Sequence, residues 1–157
     1  MKHSPAEIIV ADLIHNEIGT DYRNGNRWAC YVDMAPSPEP QIKVPKEIIT
    51  VYNTTGIIDG RYQTDKHGVD RKTVEHPGLQ VIVRSVNPID GYRKCIEVSD
   101  RFDAILRNEV VVSDDKDYVI QAINRTTNVA IIGEDPMTRL TNHSVNAIIT
   151  YRLQEYT

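Results

Sequence analysis

The chain has 157 residues, of which 40% are hydrophobic and 25% are charged, and its formal net charge is -4 at pH 7. This length and composition are ordinary for one soluble globular domain, residues 1–157, with its own hydrophobic core. The negative charge disfavours a dedicated nucleic-acid surface, because affinity for phosphate backbones comes largely from clustered lysines and arginines. No stretch approaches the roughly 18 apolar residues of a membrane span, and the N-terminus lacks a signal-peptide pattern, so we expect synthesis in a cytosol-like compartment.

The first predicted element is a helix over residues 5–16. Ser4 and Glu7 have the spacing of a capping box, in which each side chain bonds the backbone N–H of the other residue. Pro5 suits the first helical position because a proline has no N–H to satisfy there. A β-rich run at residues 28–32 is predicted to form the first strand.

Two connections are predicted on either side of a second strand at residues 47–53. Residues 34–46 include Pro36, Pro38 and Pro40, three prolines in five residues, which cannot donate hydrogen bonds to a sheet, so we expect a proline-rich connection. Residues 54–77 are the least regular part of the chain and are predicted to be a long charged loop or arm. Loops of this length are usually functional or disordered. Two interpretations stay open: a disordered insertion, or an arm or hairpin that becomes ordered only against a partner.

The centre of the chain is a strand that leads into a helix. Leu79, Val81 and Val83 occupy alternate positions, which is the pattern of a strand with one buried face. Asn87 is a suitable N-cap and Pro88 a suitable first helical residue, so a helix is predicted to begin at Pro88. Its apolar stripe is expected to contain Tyr92, Cys95, Ile96, Ser99, Phe102, Ile105 and Leu106.

Strands dominate the rest of the chain. They are expected at residues 109–112, 118–124, 128–132 and 139–151, with turns at residues 113–117 and 133–138. Tyr118, Ile120 and Ala122 are predicted to share one face of their strand, as Val145 and Ala147 do in the last strand. Because most connections are short, we predict an α+β fold with a largely antiparallel sheet, two amphipathic helices packed on one face, and a long loop or arm between strands.

The sequence contains no strong catalytic motif. It has no glycine-rich phosphate loop, and its five histidines lack the spacing of a metal site. Cys30 and Cys95 do not form a Cys-x-x-Cys pair and are expected to be plain core residues. A second interpretation gathers residues of the long loop as metal ligands, namely His67, His76, Asp65, Asp70 and Glu75.

Two predicted turns carry acidic residues. Asp114, Asp115 and Asp117 are expected to cap the local backbone, which is a common role of Asp in turns. Asp135 and Arg139 bracket the other turn and are candidates for an ion pair, within one subunit or across a subunit boundary. An exposed pair of this kind contributes only about 0 to 1 kcal/mol, so its value would be geometric.

Short motifs within residues 47–153 resemble one group of proteins. They are Pro77-Gly78-Leu79-Gln80-Val81-Ile82-Val83-Arg84, a helix ending in Ala104-Ile105-Leu106, the strand at residues 118–123, and Gly133-Glu134-Asp135-Pro136-Met137-Thr138-Arg139 followed by Ser144-Val145-Asn146-Ala147. In this order they resemble the minor capsid and tail-terminator proteins of long-tailed bacteriophages, which also open with an amphipathic helix. The prolines of residues 34–46 and the length of the charged loop depart from that family pattern.

The resemblance implies a structural subunit of the virion, without catalysis, cofactor or metal. It implies a homo-oligomeric ring, commonly a hexamer, that caps the tail tube and joins it to the neck beneath the head. The implied partners are further copies, the tail tube protein, and neck, head-completion or connector proteins. DNA would pass through the lumen without specific binding, and no membrane would be involved.

The same resemblance implies that the protein is made in the host cytoplasm and is located at the head–tail interface of the virion. Subunit or partner contacts are expected on the charged loop, on the central strand and on the late turn. The expected contact residues are Asp59, Arg61, Asp65, Lys66, Asp70, Arg71, Lys72, Arg84, Asp135 and Arg139.

Three functional hypotheses follow from the sequence. The first is an assembly protein, either a tail terminator or a neighbouring head-completion or neck adaptor protein. The second is a small metal-dependent hydrolase that uses loop carboxylates and histidines. The third is a monomeric module that binds a small molecule on its sheet. Oligomer size distinguishes the first, bound metal the second, and ligand-induced thermal stabilisation the third.

Overall fold

Two helices and eight strands are formed by the residues that the structure, a computed structural model, describes, namely residues 3–38, 44–59, 74–105, 109–113 and 116–153. In chain order the elements are α1 (Pro5–His15), β1 (Thr20–Asp21), a short 3-10 helix (Tyr22–Asn24), β2 (Ala29–Val32), β3 (Ile48–Asp59), β4 (Val74–Ser85), α2 (Pro88–Ala104), β5 (Glu109–Ser113), β6 (Lys116–Arg125), β7 (Ala130–Glu134) and β8 (Thr141–Leu153). The predicted α+β fold is confirmed. Neither described helix is long and apolar enough to cross a membrane.

Both helices begin at capped positions. The Ser4 hydroxyl accepts a hydrogen bond from the backbone N–H of Glu7 at 3.3 Å, and the Glu7 carboxylate accepts one from the backbone N–H of Ser4 at 2.9 Å. At α2, the Asn87 side chain accepts a hydrogen bond from the backbone N–H of Ile89 at 2.9 Å. These bonds satisfy N–H groups that the first helical turn leaves unpaired. Both helices therefore start where the sequence predicts.

Asn53 holds the start of α1 against the sheet, a contact that sequence patterns did not predict. Its side-chain oxygen accepts a hydrogen bond from the backbone N–H of Ala6 at 2.9 Å, and its amide donates to the Asp33 carboxylate at 2.7 Å. One side chain of β3 thus joins the helix to the turn that follows β2.

The buried stripe of α2 differs from the predicted stripe. Its buried members are Gly91, Cys95, Val98, Ser99 and Phe102. Tyr92, which was expected in the stripe, is 49% exposed, and Ile96 is only partly buried. Gly91 takes a core position because a Cβ atom there would clash with the Ser85 hydroxyl, so only glycine lets the helix approach the sheet this closely.

The strands form a mixed sheet in the order β1-β2-β3-β4-β8-β6-β5, and β7 also pairs with β8. The pairs β1–β2 and β2–β3 are parallel, whereas the other pairs of the described strands are antiparallel. The parallel pairs are a departure from the sequence prediction. Residues 141–144 of β8 pair with both β4 and β7, so β7 lies on the edge of β8 opposite β4.

The predicted loop over residues 54–77 is wrong at both ends. β3 and β4 continue into this segment and pair with each other there. The register of the pair shifts near Gly56, where a Cβ atom would clash with the backbone oxygen of His76. A bulge of this kind interrupts the period-two pattern by which strands are predicted from sequence. Residues 60–73 lie outside the described part of the chain.

A second bulge, in β6, changes which residues of that strand are buried from the predicted set. Tyr118 and Ile120 are buried as expected, but the register of the β6–β8 pair shifts between Ile120 and Ala122. Gln121 is the extra residue, so Ala122 is exposed rather than buried. β6 also begins earlier than predicted, which places Asp117 within the strand instead of the turn.

The helices and the sheet share one hydrophobic core. It includes Ile8, Ile9 and Leu13 of α1, Val98 and Phe102 of α2, Leu79, Val81 and Val83 of β4, and Val145, Ala147 and Ile149 of β8. Cys30 and Cys95 belong to the same core, as predicted, and burial raises the pKa of both thiols to about 12. At neutral pH both cysteines are therefore protonated and unreactive.

The two helices are joined by a buried ion pair between Asp12 of α1 and Arg101 of α2. Arg101 Nε lies 2.9 Å from Asp12 Oδ2 and Arg101 Nη2 lies 2.7 Å from Asp12 Oδ1, so the pair is bidentate. The Asp12 side chain is 4% exposed and the Arg101 side chain is 14% exposed. Both charges are therefore largely removed from water and depend on each other.

Replacing Asp12 with Ala is expected to lower the free energy of unfolding by about 3 kcal/mol, because it removes the carboxylate that accepts two hydrogen bonds from the largely buried Arg101 guanidinium. Urea denaturation followed by circular dichroism measures this change. Asp103→Ala is the matched control, since Asp103 pairs with Arg125 at 2.9 Å but is half exposed. It should cost less than about 1 kcal/mol. Equal losses in the two variants would contradict a special role of the buried pair.

Candidate functional site

Most contact residues expected on the charged loop lie outside the described part of the chain. These are Arg61, Asp65, Lys66, Asp70, Arg71 and Lys72. Asp59 is the last residue of β3. The expectation that this segment contacts a partner therefore stays a prediction.

Arg84 of β4 is held inside the subunit, where it ties together the two ends of the proline-rich connection. Its Nη1 donates to the backbone oxygen of Pro36 at 2.7 Å, and its Nη2 donates to that of Pro45 at 3.0 Å. Its Nε donates to the backbone oxygen of Lys46 at 2.9 Å. Partial burial lowers the pKa of the guanidinium, so the three carbonyls compensate for lost hydration.

The turn after β7 is stabilised by its own backbone rather than by the predicted pair between Asp135 and Arg139. The Asp135 carboxylate accepts hydrogen bonds from the backbone N–H groups of Met137 and Thr138 at 2.8 and 3.4 Å, and these bonds lower the pKa of the Asp135 carboxyl. Arg139 Nε instead lies 3.3 Å from Glu134 Oε1. The predicted ion pair is wrong within one subunit, because the short Asp side chain caps the turn. A pair across a subunit boundary stays a prediction.

The predicted metal ligands are not brought together by the described residues. His76 Nδ1 lies 2.7 Å from the Thr150 hydroxyl, a contact that holds β4 beside β8. His67, Asp65 and Asp70 lie outside the described ranges. Within those ranges no group of three or more His, Cys, Asp or Glu side chains is placed to hold a metal ion.

A cleft of about 260 Å³ opens on the sheet where β3 and β4 leave their neighbours. It is lined mainly by uncharged polar and small residues, among them Thr54, Thr55, Gln80, Thr126 and Asn146. The Asn146 Oδ1 atom is buried without a hydrogen-bond partner among the described residues. The lining offers hydrogen bonds but none of the carboxylates or imidazoles that acid–base chemistry uses.

Exposed apolar side chains are concentrated where α2 begins and where β7 ends. Of the nine large apolar residues that are exposed in the described chain, six come from these two stretches, which both approach His143 of β8, and we call them the α2–β7 surface. They are Val86, Ile89, Tyr92, Ile131, Ile132 and Met137. Met137 is 91% exposed and Ile131 is 61% exposed. A cluster of this kind marks an interaction site more often than scattered exposed residues do.

His143 of β8 connects the two halves of this surface. The Tyr92 ring meets the His143 ring edge-on with centroids 6.0 Å apart, and Ile131 stands directly opposite His143 in the β7–β8 pair. His143 is buried, and its Nδ1 atom has no hydrogen-bond partner among the described residues. Burial lowers the pKa of the His143 imidazole, because it disfavours the charged form.

Replacing Arg84 with Met is expected to free the two ends of the proline-rich connection, because three backbone carbonyls lose their donor. Stability should fall by about 1 to 3 kcal/mol. Hydrogen exchange should accelerate most at residues 33–38 and 44–47. Arg84→Lys is the control, since one ammonium group keeps the charge but cannot reach all three carbonyls. If Lys restores full protection, charge alone accounts for the contact.

The His143 environment predicts a loss of stability in acid. The unfolded chain binds a proton as the pH falls below about 6.5, whereas the folded state resists protonation, so stability declines below that pH. His143→Gln should show a smaller decline between about pH 7.5 and 5.5 in urea denaturation. The variant His15→Gln, which removes an exposed imidazole, should keep the decline of the natural protein. An unchanged decline in His143→Gln would contradict the assignment.

Comparison with known proteins gives the family. A sequence profile described as bacteriophage tail terminator protein matches residues 13–136. A search of curated proteins finds no match. One similar solved structure shares 15% sequence identity over 94% of this chain and 96% of that chain, with a TM-score of 0.44, a likeness too distant for any argument.

The family profile spans most of the chain, from the end of α1 through β7 to the turn at Asp135. It includes the whole of α2 and all residues of the α2–β7 surface except the last, Met137. The resemblance drawn from the sequence motifs is confirmed. The chain belongs to the bacteriophage tail terminator protein family.

Proposed function

We propose that this protein assembles as a closed ring, with six copies as the expected number, that caps the tail tube and joins it to the head or neck. Its partners in this proposal are further copies of itself, the tail tube protein and a neck, head-completion or connector protein. Its place is the head–tail interface of the virion.

The observation that carries the proposal is the family match over residues 13–136, because tail terminators are structural proteins of phage tails. The α2–β7 surface supports it independently. A face with several exposed isoleucines, a tyrosine and a methionine suits association with other proteins, since the removal of apolar area from water stabilises such contacts.

The charge of the chain suits a ring around DNA. A formal net charge of -4 gives each copy the same sign as the phosphate backbone. A lumen lined by such subunits would let DNA pass without tight binding, because like charges repel and specific phosphate contacts need clustered cations. We propose no catalytic role, in keeping with a structural family.

A phage that lacks this protein is expected to make heads and tail tubes that do not join, and tubes of irregular length, because nothing caps the growing end. Electron microscopy of lysates measures both properties. Adding the purified protein should restore joined particles, and light scattering should detect ring-sized oligomers, either in solution or after tail tubes are added.

The Asp103→Ala variant serves as the control in this add-back experiment and should restore joining as well as the natural protein does. Joined particles with normal tube lengths in the absence of the protein would contradict the proposal. Tubes of normal length that fail to join, together with binding of the protein to heads, would favour a head-completion or neck adaptor protein instead.

A further inference from the structure

β7 is an edge strand that the described part of the subunit leaves uncovered. It pairs with β8 on one side, and no described strand pairs with its other side. Its sequence, Ala130-Ile131-Ile132-Gly133-Glu134, contains neither Lys nor Pro, the residues that commonly protect edge strands from pairing with other chains. Its one irregularity is a bulge at Ile132, which is 54% exposed. An edge of this composition is open to pairing with a strand of another chain.

A second uncovered edge lies at the far end of the β3–β4 pair. β2 pairs with β3 only as far as Val51, and β8 pairs with β4 only from Gly78 onward. The two strands nevertheless continue to pair with each other as far as Asp59 and Val74. Residues 55–59 and 74–77 thus form a two-stranded ribbon without a third described strand at either edge.

Only one edge of this ribbon is suited to receive or add a strand. On the β4 side, Pro77 has no backbone N–H, and His76 is already bonded to Thr150. On the β3 side, residues 55–59 contain no proline, so each has a backbone N–H, and they include two isoleucines. In an antiparallel pair about half of these groups point away from β4. This free edge is five residues long, which is the length of β7.

We propose that in the assembled protein the β3 edge of the ribbon, residues 55–59, pairs with the free edge of β7 in a second copy of the chain. This inference rests on the proposed ring and names the contact that builds it. The pairing satisfies backbone groups of both strands and covers Ile131 and Ile132, two exposed residues of the α2–β7 surface.

The two edges are different parts of one subunit, so each copy donates a ribbon to one neighbour and receives a ribbon from the other. Such a heterologous contact closes into a ring when the rotation between copies closes. A two-fold contact between identical edges would instead stop at dimers. The proposed contact therefore accounts for a ring, whereas pairing of β7 with β7 does not.

Charged substitutions at the two edges test the contact. Ile132→Lys and, separately, Ile58→Lys should each weaken assembly by at least about tenfold, because a lysine on an edge strand opposes strand addition. Val110→Lys is the matched control, since Val110 is 48% exposed on the outer strand β5 but lies outside the proposed contact. It should assemble as the natural protein does. Thermal denaturation of each variant verifies that it folds.

Mixing the two edge variants gives a sharper outcome. Ile132→Lys keeps an intact ribbon, and Ile58→Lys keeps an intact β7 edge. In a mixture, the ribbon of the first variant can therefore pair with β7 of the second, whereas the reverse contact has a lysine on both edges. Under conditions in which the natural protein forms rings, light scattering should find monomers in each separate sample and one-to-one dimers in the mixture, without rings. Rings in either separate sample, or monomers in the mixture of folded variants, would overturn the proposal.

Cross-linking provides a readout that does not depend on loss of assembly. In a chain that carries both Ile58→Cys and Ile132→Cys, a short bismaleimide should link neighbouring copies into a ladder that ends at the ring number. Cys30 and Cys95 are buried and should not react. A ladder from position 132 alone would overturn the proposal. If natural protein neither forms rings nor binds tail tubes, the proposed function fails as well; if rings persist in the lysine variants, only this contact fails.

Discussion

The bidentate pair between Asp12 and Arg101 fixes the two helices to each other over one apolar core, and the remaining architecture depends on that arrangement. The strands that contribute to this core bury one face of the sheet against the two helices. Among the described residues, the outer edge of β7 and the β3 edge of the ribbon have no strand partner within the subunit, and several apolar side chains at the start of α2 are exposed. These unpartnered parts are the ones available for assembly.

Charge and apolar surface have different uses in this chain. Arg84 donates hydrogen bonds to the proline-rich connection, and the Asp135 carboxylate accepts a hydrogen bond within the turn after β7. Arg84 and Asp135, two of the residues expected to contact a partner, therefore also stabilise the subunit itself. Several large apolar side chains, notably Ile131 and Met137, are by contrast exposed. Association through apolar area and strand edges fits a structural family better than association through isolated ion pairs, since exposed pairs contribute little.

Local signals in the sequence predicted the elements well. Ser4 and Glu7 specify the start of α1, and Asn87 with Pro88 specifies the start of α2, because capping depends on a few adjacent residues. The alternation in β8 also predicted its buried face correctly.

Non-local features escaped the sequence analysis. The burial of Gly91 depends on Ser85 of another element, and the bulge near Gly56 depends on the partner strand. Neither feature produces a periodic sequence pattern. The buried stripe of α2 and the lengths of β3 and β4 were therefore predicted incorrectly. The α2–β7 surface was missed for the same reason. Tyr92 and Ile131 are far apart in sequence, and only the fold shows that both lie beside His143.

The central claim is that identical copies of this protein meet edge to edge at the end of the tail. Electron cryo-microscopy of the head–tail junction in assembled virions tests it most directly. The account predicts a closed ring of this chain on the tail tube, in which β7 of each copy lies beside β3 of the next. A junction without the chain, or a ring in which β7 remains uncovered, would contradict it.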